Sequence, residues 1–298
     1  MWRIICAIIG FAVIVLILVA VLPISYSEIV ARGSAALALG FVLLVYPYFA
    51  IRNRRNLKKA ERDIKFDRTR LRLKNVDKNS WVWEISGSGW VGLTYSSSPP
   101  AWPADLSRIA DLRRYYCREK GSWGSGSKAV VDFEPLQVSG CEVLRVITKE
   151  PINHYPVYTG RLVFPFQKFF YEIWVSFMEA RTTDLSQTRE FSVYGHALNA
   201  GEITIENVDG VDLVHGWYRD HCNEQDNDIL VAPFLTKDSW GEIVEQIVSR
   251  RSLADDEIND EKFPTHALTK VRGALARIQD SLMLSERLIS QPPFRKNT

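Results

Sequence analysis

Apolar residues follow two regimes along the chain. Up to Ile51 they form unbroken runs, residues 4–22 and 33–51, neither of which contains a charged side chain. Beyond Lys74 they form short alternating or stepped groups. A bilayer core about 30 Å thick takes about 20 apolar residues to cross at a helical rise of 1.5 Å. Both runs reach that length, and Tyr46 and Tyr48 lie near the end of the second, where amphipathic rings favour the membrane interface. Residues 1–51 are therefore expected to form a transmembrane helical hairpin. A cleaved leader is the competing reading of the first run, but the run is longer than a leader's apolar core and a second span follows at once.

The second regime predicts a mixed domain. The period falls to two at residues 81–85 and 90–95, on either side of Ser86-Gly87-Ser88-Gly89, which reads as a β-hairpin. A helix is expected from Pro103 to about Cys117, with Leu106, Ile109, Ala110 and Tyr116 on one side. Strand patterns follow at 129–133, 142–148, 158–164 and 169–177; in the last, one face is wholly apolar and the other mixed. Residues 182–196 read as a turn with a short helix or irregular lid, 202–205 and 211–214 as strands around Asp209-Gly210, and 229–234 as a last strand. Ser239 to Glu242 match a capping box ahead of Ile243, Val244, Ile247 and Val248. A long helix is expected over 265–289, where Leu268, Val271, Leu275, Ile278, Leu282 and Ile289 step by three and four except at Ser285. Its seam would pack along the sheet or mate with a partner helix. The order of elements gives an α+β fold: the transmembrane hairpin, then a soluble domain with a mostly antiparallel sheet packed against C-terminal helices. The domain plan is 1–51 hairpin, 52–79 basic juxtamembrane helix or linker, and 80–298 cytoplasmic α+β domain.

Charge sharpens the topology. Residues 52–74 hold eleven Lys and Arg against Glu61, Asp63 and Asp67, whereas the connector 23–32 holds only Arg32. Cationic flanks are retained on the cytoplasmic side, so both termini are expected inside, at a bacterial inner membrane. Arg52, Arg54, Arg55, Lys58, Lys59 and Arg62 are the expected contacts with anionic lipid head groups, within a collar spanning 52–74. With +8 in the collar, +1 before it and +2 overall, residues 75–298 carry −7. That domain is repelled by phosphate backbones, so no nucleic-acid partner is expected. Cys6 lies in the first span, and Cys117, Cys141 and Cys222 form an odd set without a short-spaced pair, which reads as free thiols in a reducing compartment.

Candidate chemistry is sparse. The loop from Gly121 to Lys128 lacks the Gly-Lys-Ser/Thr junction of a phosphate loop and is followed by a strand pattern. His215, Asp220, His221 and Cys222 place imidazole, carboxylate and thiol within eight residues, the usual ligands of zinc. In that reading His215, His221 and Cys222 hold the metal, and Asp220 orients an imidazole or His215 and His221 act as a base. His215 and His221 are six residues apart, which fits no standard zinc spacing, so the competing reading is an ordinary polar loop. Asp255, Asp256, Glu257, Asp260 and Glu261 lack the alternation and Gly of a calcium loop and read as a solvated connector. No cofactor is expected. The function expected from the chain is a membrane-anchored protein with a non-catalytic interaction domain, accessory, regulatory or immunity-type, working with a protein partner. The alternative is a membrane-associated metal-dependent hydrolase built on residues 215–222.

Overall fold

The period-two stretches become strands, and the strands form one open sheet. The computed structural model describes residues 59–76, 79–85, 89–119, 129–152, 155–179, 188–208, 211–217 and 251–296. Both apolar runs, the strand expected at 229–234 and the capping box at 239–242 lie outside these residues. In chain order the elements are β1 (Ile64–Lys65), β2 (Leu71–Val76), β3 (Ser80–Ile85), β4 (Gly89–Ser96), α1 (Ile109–Glu119), β5 (Ala129–Val138), β6 (Cys141–Ile152), β7 (Tyr155–Pro165) and β8 (Phe170–Met178). They continue with α2 (Arg189–Asn199), β9 (Thr204–Val208), β10 (Val211–His215), α3 (Ala267–Asp280), β11 (Met283–Leu284) and α4 (Glu286–Ile289).

The main sheet has seven antiparallel strands in the order β2-β3-β4-β8-β7-β6-β5. Two consecutive meanders, β2 to β4 and β5 to β8, meet where β4 pairs with β8 over Gly89↔Phe177 to Ser96↔Phe170. Alternation in β8 sends Tyr171, Ile173, Val175 and Phe177 into the main core, while Phe170, Glu172, Trp174 and Ser176 face the other way. On the core face α3 lies across β7 and β8, burying Leu268, Val271, Leu275 and Ile278. Gly160 permits this approach, since a Cβ there would stand 2.5 Å from Leu275 Cδ1 and 2.7 Å from Val271 Cγ1. On the opposite face α1 brings Leu112 and Tyr116 against Val130, Leu144, Val146 and Val163, with Trp102 and Phe294 closing a second core. Helices therefore cover both faces, where the order of elements suggested the C-terminal ones alone.

Three local expectations change. Of the basic stretch 52–79 read as a helix or linker, only 59–63 is helical among the described residues; Ile64–Lys65 and Leu71–Val76 are strands, and β2 begins the main sheet. The alternation Leu71-Arg72-Leu73-Lys74 carries that strand signal, masked by the charge. The helix expected over 265–289 stops at Asp280, with the Ser281 hydroxyl donating back to the Arg277 carbonyl at 2.8 Å. Met283 and Leu284 then pair with Lys65 and Ile64, and Ser285, the one gap in the apolar seam, caps α4 by accepting from the Leu288 amide. Finally, Cys117 is disulfide-bonded, whereas Cys141 is free and buried. The expectation of unpaired thiols fails at Cys117.

Candidate functional site

Of the acidic stretch read as a solvated connector, Glu257 and Glu261 are exposed, but Asp255, Asp256 and Asp260 are drawn into the fold, where cations from three elements and the neighbouring Arg251 meet them. Lys149 on β6 is fully buried, its Nζ 2.5 Å from Asp255 Oδ2, and the Ser252 amide donates to the same oxygen at 2.8 Å. Arg189 opens α2 and is also buried; its guanidinium donates to Asp260 at 2.8 Å, to Thr269 Oγ1 at 3.0 Å and to the Asp256 carbonyl at 2.9 Å. Arg272 on α3 grips Asp132 of β5 through two bonds of 2.9 and 3.1 Å and reaches Asp260 at 3.1 Å. Burial weakens the charge on Arg272, but Asp132, Asp260 and Asp255 outweigh it and raise its pKa. Arg251 joins the Val131 carbonyl at the β5 bulge to Asp256. The bidentate and charge-assisted geometry is that of strong, fixed contacts. This network docks α2 and the 253–260 turns onto the sheet edge.

Beside it, His266 caps α3, its Nδ1 accepting from the Leu268 amide at 3.2 Å, which places any proton of the neutral ring on Nε2. That nitrogen points between Glu179 at 3.5 Å and Glu190 at 3.7 Å, contacts too long for good hydrogen bonds. Burial would raise the Glu190 pKa; the imidazole beside it, its own backbone amide at the start of α2 and Lys149 together bring it down to about 2. His266 is thus a helix cap facing two carboxylates.

A separate recess is open to solvent. Alongside α3, next to residues of β2, β3, β4 and β8, lies a groove of about 650 Å³. Its floor is Leu71, Ile85, Val91 and Phe177. The Phe177 ring packs over Gly89, which has no side chain; a Cβ there would fall 2.2 Å from the ring. Arg70 stands on the sheet side, and Lys270 and Arg277 on the helix side. Between those two, Gly273 is exposed, and a Cβ added to it would meet nothing within 4 Å. Asp67, the one carboxylate of the lining, accepts from the Thr69 amide at 2.9 Å, and that bond together with neighbouring Arg70 holds its pKa below the usual range.

His215 ends β10, half-buried, with Nε2 3.1 Å from Glu206 Oε2 on the paired strand β9. Asp220, His221 and Cys222 lie outside the described residues, as do Arg52, Arg54, Arg55 and Lys58. Lys59 and Arg62 belong to the helical turn 59–63, where Arg62 is exposed. Among the described residues no three His, Cys, Asp or Glu side chains are grouped as metal ligands, and no helix is long and apolar enough to cross a membrane. The groove escaped the sequence reading although its pattern was present: Lys270, Gly273, Ala274 and Arg277 occupy one helical stripe. Lys149 and Arg189 carry no comparable signal, since only tertiary structure brings them to Asp255 and Asp260. The sequence matches no known protein family and no curated protein.

Proposed function

We propose that this chain is a membrane-anchored protein whose α+β domain works by binding a protein partner, in an accessory, regulatory or immunity-type role at a bacterial inner membrane. The anchor is the pair of apolar runs, and the eleven-to-one cation asymmetry argues for a domain on the cytoplasmic side. The observation that carries the binding role is β2. Among the described residues this strand pairs only with β3, and Leu73 and Val76 on it are 50% and 45% exposed. An edge strand with exposed apolar side chains offers backbone groups to an added strand and side chains to specify it. The test is affinity capture with the full-length chain in its native membrane, comparing the parent with a Leu73→Lys, Val76→Lys double variant. A partner held by the parent and lost by the variant supports the reading; repeated capture of no partner counts against it.

The Cys117 disulfide favours a second orientation. Disulfides persist in oxidising compartments, so the bridge argues for a domain on the outer side, against the cation rule. Reporter enzymes fused to the C-terminus, one active only in the cytoplasm and one only outside it, separate the two orientations.

A further inference from the structure

We infer that the groove beside α3 is a binding site for one anionic lipid, with an acyl chain on the apolar floor and the phosphate head between Arg70, Lys270 and Arg277. The inference rests on the membrane-anchored reading, for which it names a second ligand.

Three features converge. The floor is hydrocarbon, and about 650 Å³ is within the range of small-molecule sites. The mouth is cationic: neither Lys270 nor Arg277 has a carboxylate partner among the described residues, and Asp67 is already engaged by the Thr69 amide. The two helix cations are seven residues apart, about 10 Å along the axis, a span that suits a phosphate head held from both sides.

The third feature is Gly273. Glycine inside a helix is unfavourable relative to alanine, and a conformational or packing need usually explains it. Neither applies here, because the residue lies within α3 and a Cβ would enter empty space. What the missing side chain does is keep the helix wall open between Lys270 and Arg277. An acyl chain entering from the mouth passes over this point.

In sequence, Asp67 and Arg70 on its rim follow Ile51, the end of the second apolar run, by fewer than twenty residues. Free inorganic phosphate satisfies the rim but not the floor, whereas a phospholipid satisfies both.

The full-length chain is reconstituted into phosphatidylcholine vesicles containing about a fifth phosphatidylglycerol with a photoactivatable acyl chain, and the adducts are mapped after illumination. Adducts are expected on the peptides spanning 67–71 and 264–278. Their yield is expected to fall about tenfold in Gly273→Trp, which fills the wall, and severalfold in the Lys270→Gln, Arg277→Gln double variant. It is also expected to fall when the photoprobe is carried by phosphatidylcholine instead. The Gly273→Trp melting temperature is read alongside, and a Gly273→Leu variant replaces it if that temperature drops. Adducts confined to residues 1–58, a yield indifferent to Gly273→Trp, or competition by inorganic phosphate as effective as by lipid would each overturn the site. A chain that fails to enter the bilayer overturns the anchor instead. The groove is then tested on the same chain with soluble lysophosphatidylglycerol carrying the probe: adducts at 67–71 and 264–278 keep the site, and their absence ends it.

Discussion

At the scale of single residues, Lys149 and Gly273 show how burial decides the meaning of a side chain. Lys149 is buried on β6 with Asp255 as its charge partner. Removing one partner of a buried pair leaves the other desolvated and uncompensated, which typically costs about 3–5 kcal/mol. Lys149→Met is therefore expected to lower the unfolding free energy in urea by that order. A loss under about 1 kcal/mol would mean that Asp255 is satisfied by Ser252 and the turn amides without the lysine. Gly273 predicts the opposite sign. Alanine there gains about 1 kcal/mol of helix propensity and clashes with nothing, so Gly273→Ala should raise the melting temperature by about 2–4 °C. A stabilising substitution at a groove-lining position is what a residue kept for binding would give.

At the scale of elements, the sheet and its helices meet through a few contacts of very close approach. Gly160 on β7 lies under Val271 and Leu275 of α3. Gly160→Val should cost about 1–3 kcal/mol through forced displacement of the helix, measurable as a shift in the urea midpoint at constant slope. Much of this level was legible from periodicity. The 81–85 and 90–95 hairpin became β3 and β4, the alternation in 169–177 became β8, and 202–205 with 211–214 became β9 and β10. Local pattern and tertiary structure agreed there because each strand has one face on a core. They parted where a partner distant in sequence decided the outcome. Residues 283–284 leave the helical register because Lys65 and Ile64 offer them a ladder, and Leu71 to Val76 form a strand although cations dominate their composition. The acidic residues 255–260 looked solvated because the groups that neutralise them, Lys149, Arg189 and Arg272, come from three separate elements. The groove stripe on α3 was visible as spacing, but its meaning depends on which strands the helix lies beside.

At the scale of the whole molecule, two buried carboxylates close the fold and make it acid-sensitive. Asp63, just ahead of β1, joins β8 and the C-terminal segment: Tyr171 and Ser285 donate to it at 2.7 and 3.2 Å, and Arg287 pairs with it. Burial works against its charge, but the Arg287, Tyr171 and Ser285 bonds prevail and lower its pKa. Glu190, held down to about 2, sits where α2 meets α3 and β7. In the unfolded chain both groups titrate at ordinary values, about 3.9 for Asp and 4.3 for Glu. The unfolded state therefore binds protons before the folded state does, and stability rises with pH through that window. The contribution is complete above about pH 5 and is lost as pH falls from there towards about 2, the folded value for Glu190. Urea midpoints measured across this range should fall steeply on acidification in the parent. They should fall less steeply in Asp63→Asn and Glu190→Gln, which bring the loss of those pairs forward to neutral pH. Equal slopes in parent and variants would assign the acid sensitivity to other carboxylates.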